Sequence, residues 1–362
     1  MAAVLLTGHG GLDQLSYRTD VPTPHPRAEE VLVEVAAAAV NNTDINTRIG
    51  WYSKEITSET GSGGQSGFTS VGEDSSWSGA PLSFPRIQGA DVCGTIVAVG
   101  TAVDPGRLGD RVIVRNMLRS YVDYRPFECW TLGSECDGGF AQYTVAPARE
   151  TYTVVSDWTD AELAAVPCAY STAENMLHRA EVGPERVLIT GASGGVGLAA
   201  VQLAKRRGAS VTALCSRDKA YDVRKQGADH IIERGRDLED AFGANAVDVV
   251  LDLVGGPQWP QFLNVLRVGG RYAVAGAIGG PMVHLDLRTV YLKDLTILGC
   301  TFQPDEVFDN LIGYVQRNEI RPVIAKTYPL HNIKQAQLDF LSKSHTGKLV
   351  LMPPRPTDTA TA

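Results

Sequence analysis

Residues 186–216, RVLITGASGGVGLAAVQLAKRRGASVTALCS, decide the fold. RVLIT has the apolar, β-branched composition of a buried strand, and a glycine-rich turn follows it at 191–197. An amphipathic helix begins at once, and VTALC is a second apolar strand. Strand, turn, helix and strand in that order form one βαβ unit. The turn fits the pattern AxGxxG through Ala192, Gly194 and Gly197, with alanine where the first glycine usually stands. Residues without bulk let backbone N–H groups approach a pyrophosphate, and the helix N-terminus adds partial positive charge. Ala192, Ser193, Gly194, Gly195, Val196 and Gly197 are therefore candidate ligands of a dinucleotide.

The end of the second strand selects the nicotinamide cofactor. An NAD site wants a carboxylate there to accept hydrogen bonds from the ribose hydroxyls. This chain has Ser216-Arg217-Asp218-Lys219. A hydroxyl with two cations, Ser216, Arg217 and Lys219, suits a 2′-phosphate, whereas a carboxylate in first position would repel it. NADPH is the expected cofactor, with Asp218 the contrary note.

Outward from this unit the alternation continues. VDVVLDLVGG reads as a strand, FLNVLR as a helix and GGRYAVAGA as another strand, which together describe a parallel, doubly wound sheet. VFDNLIGYVQRN has helical spacing, GKLVLMP is a last strand, and the tail PRPTDTATA reads as disordered. Upstream, Thr159 and Glu162 make a capping box, and a further helix is expected from about Ser171–Thr172. Residues 1–150 differ in rhythm. Short β-rich runs at 31–40, 94–100, 110–114 and 140–147 are punctuated by Gly, Pro and Asp, the pattern of a small irregular barrel or sandwich.

The totals agree with two soluble domains. The chain has 362 residues, with 44% hydrophobic and 20% charged. A net charge of −8 argues against a nucleic-acid partner, which needs clustered Lys and Arg. No apolar run approaches the ~20 residues of a membrane span, and MAAVLLTGHGG reads as a first strand rather than a signal peptide. Six scattered cysteines fit a reducing cytoplasm better than a disulfide framework.

Beyond these readings, the chain resembles the medium-chain dehydrogenase/reductase superfamily, in particular its zinc-independent quinone oxidoreductase and enoyl reductase branch. The resemblance rests on NNTDIN at 41–46, GADVCGTIVAVG at 89–100, DGGFAQY at 137–143, the GASGGVG turn, VTALCS at 211–216 and the terminal GKLVL. It implies an α/β protein with a GroES-like, β-rich catalytic domain (1–155 and 296–362) around a Rossmann domain (156–295), with the active site in the cleft between them. It also implies a homodimer joined through the Rossmann domains.

Zinc enzymes of this superfamily bind their catalytic metal through Cys, His and Cys, which by motif alignment fall on Asn41, Ala90 and Cys168. A thiol, an amide and a methyl group do not supply the three or four N, S or carboxylate ligands that Zn²⁺ requires. The region that carries four structural-zinc cysteines in relatives, 115–136, has only Cys129 and Cys136. No metal is expected. Without a Lewis acid, an isolated carbonyl accepts hydride poorly, while quinones and α,β-unsaturated carbonyls spread the charge into an enolate that hydrogen bonds can hold.

The expected activity is thus NADPH-dependent reduction of a quinone or enone. The alternatives are an alcohol or aldehyde reductase and a non-catalytic NADPH-binding protein. In enoyl reductases of the branch a tyrosine follows the N-x-x-D motif and donates a proton or hydrogen bond; the frame places Tyr52 there, as catalyst or as packing. The resemblance puts Asn41, Asp44 and Thr172 near the nicotinamide, Asp44 more in a structural role. It adds Val254, Gly276, Ala277, Thr301, Phe302 and Lys348 as candidate cofactor contacts. Finally, residues 53–85 are a Gly- and Ser-rich insertion where relatives have a shorter loop, rooted beside Tyr52. Trp51, Phe68 and Trp77 are apolar anchors that a purely solvated linker would not need. The insertion is expected to form a mobile lid or rim at the substrate site.

Overall fold

The computed structural model describes residues 1–355 and divides the chain into two compact units. One comprises 1–56, 62–168 and the chain from 324 onward; the other comprises 57–61 and 169–323. The expectation for the tail beyond Arg355 lies outside the described residues.

The second unit is built on a six-stranded sheet, all of whose pairings are parallel. Its spatial order is His230–Glu233, Ser210–Cys215, Arg186–Ile189, Val247–Asp252, Leu266–Val274, Thr296–Gly299. The chain order therefore reverses between Arg186–Ile189 and Val247–Asp252, the switch point at which such sheets open a crevice beyond their carboxyl ends. Buried on both faces, these strands carry runs such as Val249, Val250 and Leu251, all fully buried. The sheet takes in Thr296–Gly299, paired with Leu266–Val274. The unit consequently runs to 323 rather than ending at 295 as the sequence reading expects.

The first unit joins both ends of the chain. Its larger sheet places Thr151–Thr153, Arg111–Val114, Cys93–Val99, Glu30–Ala39, Lys348–Met352 and Ile324–Pro329 side by side, with Tyr143–Pro147 also pairing Glu30–Ala39. The C-terminal strand pairs antiparallel with Glu30–Ala39, Val350 opposite Ala39. The smaller sheet orders Leu15–Arg18, Ala3–Leu6 and Arg86–Ile87.

Two helices differ from their sequence readings. Pro167–Arg179 begins four residues before Ser171, because Pro167 is well placed in a first helical turn, where its missing N–H costs no bond. The expected helix FLNVLR is Trp259–Val265, and Leu266 and Arg267 already belong to the next strand.

Most of the insertion belongs to the first unit, while residues 57–61 belong to the second. Arg48, wholly buried, donates from Nη2 to the Gly64 carbonyl (2.6 Å), from Nη1 to that of Gly10 (2.7 Å) and from Nε to Gln337 Oε1 (2.8 Å). Gly67 sits at φ +79°, where a Cβ would lie 2.4 Å from Gly10 Cα. Some of the glycine here serves close packing rather than looseness. His9 bridges the Thr47 carbonyl and Ser75 Oγ, both at 2.9 Å.

Candidate functional site

The glycine turn carries the geometry a dinucleotide needs. Gly191 adopts φ +57°, and a Cβ at Gly197 would meet the Gly191 carbonyl at 2.3 Å, so the turn can close only with glycine there. Gly194 is exposed and caps the helix Gly195–Arg206 without any side chain over its first turn. Ser193, Gly195 and Val196 are half-buried, while Ala192 is enclosed, its N–H donated to the Leu214 carbonyl. An open helix N-terminus without a side-chain cap fits a phosphate group.

The other candidates in this unit converge on the same carboxyl-end rim. Val254 lies against the turn, its methyl 3.2 Å from where a Gly191 Cβ would stand. Gly276 closes on the Leu253 carbonyl and Ala277 on Gly255. Thr301 and Phe302 follow the sixth strand, and the neighbouring Gln303 donates to Ser171 Oγ (2.9 Å), which brings that segment beside Thr172.

Asp252 holds this rim together and was missed in the sequence. Its carboxylate accepts from Thr190 Oγ1 (2.6 Å), Tyr272 Oη (2.5 Å) and the Val254 N–H (2.9 Å). A carboxylate at the end of the apolar run VVLD was the available signal.

At the end of the second strand, Arg217 is exposed and Lys219 is mostly buried, which lowers the pKa of its ammonium. Asp218 is held below the usual carboxylate range chiefly by the Ser216 hydroxyl. The serine therefore serves that carboxylate as well as any incoming ligand. Arg234 contributes a further cation whose field reaches both Asp218 and Lys219. It follows the third strand, too far along the chain for the local pattern to reveal.

In the first unit, Asn41, Asp44, Asp91 and Lys348 form one buried cluster. Lys348 Nζ donates to Asn41 Oδ1 (2.5 Å) and Asp91 Oδ2 (3.0 Å). Asn41 Nδ2 donates to Asp91 Oδ2 (2.8 Å) and the Ala39 carbonyl (3.2 Å). Asp91 Oδ1 accepts the Cys168 N–H (2.6 Å). Asp44 caps the helix Asn42–Ile49, accepting the Asn41 N–H (2.7 Å) and the Gly89 N–H (3.2 Å), and burial pushes its carboxyl up to about 7.

Lys348 is 4% exposed and engaged inside the first unit, where the buried ammonium has Asp91 as its counter-charge. Asn41 likewise has its amide hydrogens and its carbonyl oxygen engaged within the cluster.

The cluster also decides whether a zinc ion would fit. At the three aligned ligand positions, the Asn41 carboxamide is bound to an ammonium, Ala90 offers no donor, and burial raises the Cys168 thiol far from thiolate formation. Among the described residues, no group of three or more His, Cys, Asp or Glu side chains is arranged to hold a metal. These residues do not fit the ion.

Tyr52 follows the helix Asn42–Ile49 at its left-handed Gly50 cap. Its phenol donates to Thr43 Oγ1 (3.0 Å) and is hydrogen-bonded to Asn46, and burial raises its pKa well above the ordinary value. The group is a neutral O–H at any physiological pH. Thr43 and Asn46, one turn apart, orient it; neither was singled out in the sequence. Trp77 of the insertion meets the Tyr52 ring edge-on at 4.9 Å, and Trp51 meets it at 5.8 Å.

Comparison with known proteins follows the two units. Residues 27–156 match the alcohol dehydrogenase GroES-like domain, and residues 195–317 match the zinc-binding dehydrogenase family. An acryloyl-coenzyme A reductase of Sulfurisphaera tokodaii is 29% identical over 350 residues, 92% of this chain and 95% of the relative. A quinone oxidoreductase of Lama guanicoe is 28% identical over 367 residues, 97% of each. The crystal structure of a putative alcohol dehydrogenase from Sinorhizobium meliloti 1021 superposes with a TM-score of 0.87 at 44% identity, covering 98% of this chain and 97% of that one.

Proposed function

The chain belongs to the medium-chain dehydrogenase/reductase superfamily of oxidoreductases, and from that premise we propose that it reduces a quinone or an α,β-unsaturated carbonyl with NADPH and without a catalytic metal. The observation that carries this reading is the Asn41–Lys348–Asp91 cluster. It engages the Asn41 carboxamide, Ala90 has no donor and the Cys168 thiol stays protonated, which leaves hydrogen bonding as the means of stabilising developing negative charge.

When bound, NADPH would supply a hydride and leave as NADP⁺, and one proton taken up from solvent completes the reduction of the acceptor. The turn 192–197 would hold the pyrophosphate, and Ser216, Arg217 and Lys219, with Arg234 beside them, would take the 2′-phosphate. Val254, Gly276, Ala277, Thr172, Thr301 and Phe302 would line the nicotinamide end. Tyr52 keeps its proton at Oη and turns it from Thr43 toward the acceptor oxygen, where charge develops. Asp44 and Asn41 keep the helix that carries Thr43 and Asn46 in place.

NADPH oxidation measured with a quinone, an enone and an aldehyde side by side tests the reading. Quinone and enone are expected to be consumed and the aldehyde hardly at all. A preference for the aldehyde would favour the alcohol or aldehyde reductase alternative. NADPH binding without turnover of any acceptor would make the chain a cofactor-binding protein. None of Cys93, Cys136 and Cys168 is in a disulfide, which suits a reducing compartment, and we assign the protein to the cytoplasm.

A further inference from the structure

In the loop 75–80 of the insertion, burial runs against polarity. Ser75 and Ser76 are 2% and 3% exposed, while Trp77 between them and Ser78 remains half-exposed. The hydrophobic effect alone would bury the indole and leave the serines in water. The loop is instead fastened so that the indole stays at the surface. Ser75 is held by His9 Nε2 (2.9 Å), and the Ser76 N–H by the Ala80 carbonyl (3.0 Å). The Ser78 N–H is held by Glu135 Oε1 (2.8 Å), and that of Trp77 by Ser134 Oγ (3.4 Å).

The ring held in this way meets Tyr52 edge-to-face, with an interplanar angle of 74°. Trp51 meets the same phenol at 72°, so Tyr52 packs against two indoles. Trp51, Tyr52 and Trp77 are each half-buried residues. A fixed, partly solvated wall of electron-rich rings around a neutral O–H donor suits an electron-poor, flat partner, because such rings stack favourably on indole and phenol faces. It offers nothing comparable to a small aliphatic acceptor.

We infer that Trp77 is a specificity-determining residue which, with Trp51, makes the Tyr52 site select acceptors bearing a flat, ring-conjugated system. The inference rests on the reading of the chain as a quinone or enone reductase and names the substrate class within it.

The test compares wild type, Trp77→Leu and Trp77→Phe on 1,4-naphthoquinone and cyclohex-2-enone, with binding of the naphthoquinone measured separately by equilibrium dialysis. An aromatic contact of this kind corresponds to roughly a 3- to 10-fold change in affinity. Trp77→Leu should therefore raise KM and Kd for the naphthoquinone by about that factor and lower the naphthoquinone-to-cyclohexenone ratio of kcat/KM to match. Trp77→Phe should restore both. Equal losses on the two acceptors, or no rescue by phenylalanine, would reduce Trp77 to a structural anchor and overturn the inference. If wild type turns over neither acceptor, the reductase reading fails on its own. The dialysis result still decides Trp77: weaker naphthoquinone binding in Trp77→Leu upholds it, and unchanged binding overturns it.

Discussion

Two residues of opposite character show how far local chemistry carries the argument. Arg217 is exposed beside the strand end that normally bears the NAD-selecting carboxylate, and Lys219 stands next to it. Replacing both with neutral residues should weaken NADPH binding by at least about tenfold, since each charge-assisted contact to a phosphate is among the strong hydrogen bonds. NADH binding should change little. Titration of both cofactors against the double variant checks this, and equal losses would dismiss the 2′-phosphate assignment. Asp44 makes a different kind of prediction. Its carboxyl titrates near 3.8 when unfolded and about 7 when folded, with burial as the main cause. The folded state therefore binds the extra proton between those values, and the contribution of Asp44 to stability falls as pH rises through that window. The Tm advantage of wild type over Asp44→Asn should shrink from pH 4 to pH 7; a widening margin would mean that the ionised carboxylate is the stabilised form. The expectation for Arg217 can be formed from the sequence because it depends on three neighbours alone. The pairing of Lys348 was not legible, because its counter-charge, Asp91, is 257 residues away along the chain.

Elements were legible in proportion to how locally they are determined. The glycine turn is one, since its requirement for small residues is set within seven positions, and the Thr159–Glu162 capping box forms as read, Glu162 Oε2 accepting the Thr159 N–H at 2.8 Å. The division at 295 was not, because the pairing of Thr296–Gly299 with Leu266–Val274 is a tertiary choice. The insertion was the hardest of all. Composition alone described a linker, yet Arg48, from a helix of the N-x-x-D motif, reaches into it and ties Gly64 and Gly10 to Gln337. Two backbone carbonyls and one side-chain amide accept its hydrogen bonds, and burial lowers its pKa to about 10 against the opposing charge of Asp13. Arg48→Met should strand those acceptors and cost about 2 kcal/mol, the scale of a hydrogen bond to a charged donor. Limited proteolysis followed by mass spectrometry should then show new cleavage within 57–79 while the glycine turn stays protected. An unchanged cleavage map would mean that the remaining contacts of the insertion suffice. Deleting 62–79, which carries the ring in contact with Tyr52, should change KM for the acceptor and leave NADPH affinity intact in a titration.

For the whole molecule the second unit bears directly on assembly. Thr296–Gly299 is the terminal strand of the parallel sheet, with Ile297 41% exposed, and among the described residues one of its edges has no neighbouring strand. The helix before it, Leu287–Leu292, buries none of its residues: Leu287 is 66% exposed, Tyr291 62% and Leu292 68%. Met282, at 71%, extends the same apolar stretch. An unpaired sheet edge beside exposed apolar side chains is a liability that soluble proteins normally cover. A second copy covers it economically, because the edge strands of two chains can pair antiparallel about a two-fold axis and bring each apolar helix against its equivalent. The protein should accordingly run as a dimer in light scattering at micromolar concentration. Leu287→Glu with Leu292→Glu should convert it to a monomer, since each carboxylate would be buried against its own symmetry mate without a counter-charge. The glycine turn lies at the opposite, inner part of the strand order, so the monomeric variant should retain NADPH binding; loss of binding together with the dimer would mean that assembly completes the cofactor site, and a wild-type monomer would leave the apolar edge without its second copy.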